Sequence, residues 1–397
     1  MKLGKTFDEL VTQVKRESTQ KRDFYAPTSE MLVMSDASGS RLATPVGTML
    51  LRERAHQQLA ELCGIDRRYY QKLRQEAPAL LDRNLNHWLA TGPPKQRIVR
   101  AFATNCTSAT NNPANAQFPA QLPAARDATA TAPLEARAIL SSRFALLDHD
   151  RLLNTIEPVI AEQNLTVESC DMDDEEFTIK LVSPRLQGDV KVGDTVQAGL
   201  VIRNSEVGCH AVEVHTFVKR LVCLNGMALM GPKQRGAFRR HSGRDWDGIQ
   251  KIGKQKTGVL AMGPIPPNDA REQWERQIWQ ELQQALRDSL QATAFNDLLA
   301  RLQLTTRLQT RLSPDVVAER IGSTYDLRSE EQSAMLWHLN RDDDAARHGY
   351  TLWHVLNAVT RTAQDVENYG RATELETLGG HLAGMTPRQW HHLVSIH

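Results

Sequence analysis

Between Gly199 and Gly243 the apolar residues fall on alternate positions and leave the backbone few choices. Leu200 and Ile202, and then Val212, Val214, Thr216 and Val218, alternate with polar neighbours. A period of two sends successive side chains to opposite faces, so these runs predict half-buried antiparallel strands. Between them lies Asn204-Ser205-Glu206-Val207-Gly208, whose short polar side chains and glycine make turns by bonding their own backbone or accepting positive φ. A second turn, Cys223-Leu224-Asn225-Gly226, closes the next apolar stretch. Asn204, Ser205, Glu206 and Asn225 are candidate functional turn residues, because scaffolded loops tend to carry function. The competing reading is a plain hairpin corner.

Upstream, Phe7, Leu10, Val11 and Val14 recur at helical spacing, and a short strand is expected from Met31 to Met34. From Gly47 the pattern reads as helical through LLRERAHQQLAELCG and stops at Gly64, which suits a C-cap; Asp66 then opens RRYYQKLRQEAP. With Ala60, Ile65, Tyr70 and Leu73 placed to pack, residues 55–74 form a helical hairpin resembling a helix-turn-helix. It would turn Arg67, Arg68, Gln71, Lys72 and Arg74 toward a nucleic acid. The alternative is an ordinary hairpin with solvated cations. IVRAF and ARAILSSRF read as pairing strands on either side of an Ala/Thr/Asn/Pro-rich stretch, 104–133, read as a mobile insertion. A helix follows, with Leu152, Leu153, Ile156 and Val159 on its apolar face, and then the strands LTVESCDM and EFTIKLVS. From Asp269 onward the spacing is helical, with Trp274, Ile278, Leu282, Leu286 and Leu290 at steps of four. The fold class expected is α+β: an antiparallel sheet core with helices on one face, an N-terminal helical hairpin and a C-terminal helical lobe. The regions expected are 1–95, 96–260 and 261–397.

Composition removes several function classes. No apolar run is long enough to span a bilayer and the N-terminal stretch is charged, so no membrane partner is expected and the compartment expected is the cytoplasm. The five cysteines lack any Cys-x-x-Cys pairing, against both a disulfide framework and a zinc knuckle. Phosphate-binding glycine loops, the nucleophile-elbow motif and the zinc-protease helix are missing from the sequence. The chain is therefore read as non-catalytic, with no cofactor and no metal.

With 48 basic and 47 acidic residues the net charge is only +1, so an argument for nucleic acid must rest on where the charge lies. It is concentrated in residues 231–256, where Lys233, Arg235, Arg239, Arg240, His241, Arg244, Lys251, Lys254 and Lys256 accompany Phe238 and Trp246. Cations neutralise phosphates and aromatic rings stack on unpaired bases, which suits single-stranded DNA better than a duplex groove. Phe238 and the cations and His241 of this stretch are the nucleic-acid-binding candidates. Glu206, His210, His215 and His241 are close enough in sequence to converge on a metal, so a metal-dependent nuclease stays open as an alternative. Another is a duplex-DNA regulator using the 55–74 hairpin.

The turns NSEVG and CLNG, RRHSG after them, QLAELCGIDRRYYQKL with NLNHWL, ARAILSSRFALLDHDRLL, and NAVTRTAQDVENYGRATELETLGG together resemble the phage- and plasmid-borne family known as domain of unknown function 932. The resemblance spans most of the chain. It implies a mobile-element origin and nucleic-acid work in recombination, annealing or replication, and supplies no catalytic residue. Assembly into homo-oligomers is a further expectation, drawn by analogy with ring-forming single-strand annealing proteins.

Overall fold

The computed structural model describes residues 4–104, 133–142, 144–222, 225–229 and 268–394, with side chains from residue 276 in the last stretch. Its class is α+β, with thirteen helices and two sheets among the described residues.

Helix α1 (Phe7–Gln20) begins with a capping box in which Thr6 and Glu9 bond each other's backbone N–H groups. It leads directly into strand β1 (Lys21–Pro27), which the charged, Pro-terminated sequence had not suggested. Strands β2 (Leu32–Asp36), β3 (Gly39–Thr44) and β4 (Gly47–Leu51) form a meander. Gly47 to Leu51 therefore corrects the expectation of helix there. A five-residue apolar run fits either period, and pairing with β3 decides it.

Helices α2 (Glu53–Cys63), α3 (Arg67–Glu76) and α4 (Pro78–Thr91) follow, then β5 (Gln96–Ala103) and β6 (Leu134–Ser141), antiparallel as expected. The first sheet has the order β1-β5-β6-β4-β3-β2, with β4 and β6 parallel. Strands from both sides of residue 95 share it, so a boundary at that residue does not separate packing units. Val33, Leu42, Met49, Val99 and Ile139 share a core with Leu59, Tyr70, Leu81 and Leu85 of α2, α3 and α4. On the outer edge, the Asn86 side chain on α4 bonds both the N–H and the C=O of Val33 at 2.7 and 2.8 Å, occupying backbone groups that another strand could otherwise pair with.

Helix α5 (His149–Glu162) opens the second half, followed by β7 (Thr166–Met172), β8 (Phe177–Lys191), β9 (Asp194–Asn204), β10 (Glu213–Arg220) and β11 (Gly226–Leu229). They form an antiparallel sheet in the order β11-β10-β9-β8-β7. The core thus contains two sheets where one was expected. The C-terminal part is helical: α6 (Asn268–Ser289), α7 (Ala292–Thr305), α8 (Pro314–Thr324), α9 (Ser329–Asn340), α10 (Asp343–His348), α11 (Leu352–Thr362), α12 (Tyr369–Ala383) and α13 (Pro387–Leu393).

The second sheet meets helices on both faces, not one. Ile179 packs with residues of α1, α5 and α6, including Ile278, Leu282 and Leu286. Its neighbour Lys180, pointing the other way, pairs with Glu376 of α12 at 2.6 Å. At Gly380 a Cβ would lie 1.8 Å from the Ala228 carbonyl oxygen, so only glycine lets α12 lie this close to β11. Buried Asp194 holds Arg220 and accepts a hydrogen bond from Trp353 Nε1 at 2.9 Å, tying α11 to the sheet. Among the described residues no helix is long and apolar enough to cross a membrane.

Candidate nucleic-acid interface and the buried charge cluster

The α2–α3 hairpin is built as its sequence suggests. Gly64 takes φ +67°, and the Ile65 N–H bonds back to the Ala60 carbonyl at 2.9 Å, closing the end of α2 as a Schellman motif. Asp66 caps α3 by accepting from the N–H groups of Arg68 and Tyr69 at 3.0 and 3.1 Å. Tyr70 and Leu73 are buried, and the Tyr70 hydroxyl lies 2.8 Å from Nδ1 of buried His56 on α2. Burial, with the Arg74 charge nearby, pushes the His56 pKa down to about 4, so the ring is neutral at pH 7.

Helical geometry then turns Arg67, Arg68, Tyr69 and Lys72 outward, and all four are exposed. Among the described residues neither Arg67 nor Arg68 has a carboxylate within 4.0 Å, while Lys72 has Glu76 at that limit. Tyr69 keeps about half of its surface in solvent, at 51%. Two of the hairpin's expected contact residues are engaged internally. Gln71 Nε2 donates to Glu53 at 2.7 Å and Arg74 pairs with Glu53 at 2.6 Å, bracing α3 on α2.

The turn at Asn204, Ser205 and Glu206 is buried and caps a distant helix. Asn204 Nδ2 donates to the Leu147 carbonyl at 2.7 Å. Ser205 Oγ donates to the Glu175 carbonyl and accepts from the Cys209 N–H at 3.0 Å. Glu206 accepts from the His149 N–H, placing a carboxylate at the positive N-terminal end of α5. Around it lies a cluster that the sequence did not disclose, because its members come from four separate segments. Arg100 of β5 is fully buried and grips Asp23 of β1 in a two-pronged pair at 2.8 and 2.7 Å. Its Nη1 lies 2.9 Å from Asp148 and 3.7 Å from Glu206. Lys21 of β1 reaches Asp148 at 2.8 Å and Glu206 at 3.2 Å. Burial raises the Glu206 pKa, but the charges of Lys21 and Arg100 and the bond from the His149 N–H oppose this, and the carboxyl is held well below its usual range.

Of the other expected metal ligands, the described His210 and His215 do not join Glu206. His210 Nε2 lies 3.5 Å from Glu176, and His215 Nε2 lies 3.0 Å from Glu213. Asn225 is also elsewhere, donating to Thr360 and Asn357 of α11 at 2.6 and 3.2 Å. Lys233, Arg235, Phe238, Arg239, Arg240, His241, Arg244, Lys251, Lys254 and Lys256 lie outside the described residues, as does most of the 104–133 stretch.

Asp342, Asp344 and His354 bring potential metal-ligand atoms within 4.8 Å of one another. Their hydrogen bonds assign them another task. His354 Nδ1 accepts from the Thr351 N–H at 3.1 Å, leaving Nε2 to donate to Asp344 at 2.9 Å. The Lys191 ammonium pairs with the same Asp344 oxygen, standing where a cation would. In an open groove beside β5, Arg137 and Arg52 are likewise matched, to Glu17 with Asp174 and to Glu135 respectively. Unlike these two, Arg67 and Arg68 on α3 stand without a carboxylate partner among the described residues, beside exposed Tyr69. Among protein-family models, curated proteins and solved structures, nothing matches this chain.

Proposed function

We propose that this chain is a non-catalytic nucleic-acid-binding protein of the mobile-element type, favouring single-stranded DNA and acting in recombination, annealing or replication. The observation that carries the reading is the outward face of α3, where half-exposed Tyr69 stands among Arg67, Arg68 and Lys72. Cations of this kind neutralise phosphates, and an exposed ring offers a stacking surface to an unpaired base. The cationic residues 233–256 supply the same chemistry in sequence and extend the proposed contact.

A second reading, duplex binding by the hairpin, is favoured by the three-residue turn between α2 and α3 and by exposure of the first residues of α3. Fluorescence anisotropy with a labelled single strand and the matching duplex, across a salt series, separates the two. The single strand is expected to bind more tightly, with neither DNA cut in the presence of magnesium. Arg67→Ala with Arg68→Ala should lower the log-log salt slope by roughly 0.7 to 0.9 per lost contact. Tyr69→Ala should weaken the single strand more than the duplex. Tighter duplex binding would favour the regulator reading, magnesium-dependent cutting the nuclease, and an unaltered slope would remove α3 from the interface.

A further inference from the structure

Burial holds the His149 imidazole below its usual pKa, and with that ring neutral the buried cluster between the two sheets is one positive charge short of balance. Lys21 and Arg100 face three carboxylates, Asp23, Asp148 and Glu206, and all five lie within one network of contacts no longer than 3.7 Å. The only other ionisable side chain against Glu206 in this network is His149, whose Nδ1 is 3.6 Å from Glu206 Oε1 and whose Nε2 has no hydrogen-bond partner among the described residues. Glu17 of α1 also acts on His149, but its carboxylate is held by Arg137. The Phe177 ring of β8 closes another side, 5.2 Å from the imidazole. An unbalanced negative charge in such a site is costly, and a proton removes it without moving any side chain.

We propose that the joint between the sheets is a proton-binding lock, in which Asp148 takes one proton from solvent and the sheets are held more tightly with that proton than without it. Asp148 suits the role because it is shared between Lys21 and Arg100 yet keeps 21% of its side-chain surface exposed, which gives a proton a route in. Burial, with the Glu206 carboxylate next to it, raises the Asp148 carboxyl above its usual 3.8 although Arg100 and Lys21 oppose this. A raised carboxyl contributes stability that is complete below 3.8 and lost as pH rises through its folded value, so the lock loosens on the alkaline side. The tightened joint holds more than the sheets, because Arg54 and Gln58 of α2 bond the carbonyls of Gly208 and Val207 just beyond Glu206, each at 2.8 Å.

Infrared difference spectra of wild type against Asp148→Asn test this directly, since a carboxylic acid and a carboxylate absorb in separate bands. At mildly acidic pH, about one unit above the usual carboxyl range, the wild type should show a buried carboxylic acid that the variant lacks. Glu206→Gln removes the surplus charge, so the acid band should disappear from that variant at the same pH. In urea melts from about pH 5 to about pH 8 the wild type should lose midpoint relative to Glu206→Gln as pH rises. If no carboxylic acid is found in the folded wild type, the proposal fails. A wild-type midpoint that diverges from that of Glu206→Gln with pH, without that band, would assign the titration to His149 and overturn it too. If neither variant folds, the band in the wild type and its loss on raising the pH decide the matter.

Discussion

His56 is a single residue on which the α2–α3 contact depends, and its protonation state has a calculable consequence. Its folded pKa is held near 4 while the unfolded chain takes up the proton near 6.5. The unfolded state therefore binds more protons between these values, and stability falls as pH drops through that window. The full loss is about 3 kcal/mol, taking 1.36 kcal/mol per unit. Urea melts at several pH values should show the decline, and His56→Gln should flatten it while leaving neutral stability less affected. Arg100 carries a larger stake. Removing one partner of a buried ion pair leaves the others unpaired, so Arg100→Met should cost about 3–5 kcal/mol or prevent folding. A melt within about 1 kcal/mol of wild type would show that the carboxylates around it relax into solvent.

At the scale of elements, the α2–α3 turn rests on a backbone conformation that side chains resist. Gly64 sits at φ +67°, with open space where a Cβ would be, so alanine there meets no neighbour and is strained only by its own backbone. Gly64→Ala should destabilise by about 1–2 kcal/mol. Replacement by asparagine, which tolerates this region better, should recover part of the loss in thermal melts. The turn after β9 shows the same economy at longer range. Asn204, Ser205 and Glu206 look like a surface corner in sequence, yet all three are buried and satisfy backbone groups at Leu147, Glu175 and His149. Gln58 does similar work on β6, accepting from the Ile139 N–H at 2.6 Å. That N–H lies beyond Ala136, the last residue of β6 paired with β4, so the side chain serves where the neighbouring strand has ended.

For the whole molecule, the two ends of the 104–133 stretch meet beside the first sheet. Thr104 N–H and Oγ1 both donate to the Pro133 carbonyl, at 2.9 and 2.8 Å, so the two ends already meet as a closed pair next to β5 and β6. Replacing residues 105–132 by a short turn should leave the cooperative melt intact and change stability by no more than about 2 kcal/mol of loop-closure entropy. Loss of cooperativity in calorimetry would show that the insertion is part of the packing.

Much of this architecture could be read from the sequence because it depends on local period and local turn chemistry. The alternation from Leu200 to Val218, the four-residue steps from Ile278 to Leu290 and the glycine stop at Gly64 involve residues near one another in the chain, and IVRAF and ARAILSSRF are successive strands on either side of one intervening stretch. What tertiary structure alone decided are the choices that local energies leave nearly degenerate. Gly47 to Leu51 became a strand because β3 and β6 offered backbone partners on both sides. Lys21 and Asp23 joined a strand despite their polarity, since Arg100, Asp148 and Glu206 supply the countercharges that make their burial tolerable. Glu206 became a helix cap and not a surface turn for the same reason. Its partners are 57 to 185 residues away, and no periodicity in a linear chain registers a charge balance assembled over that separation.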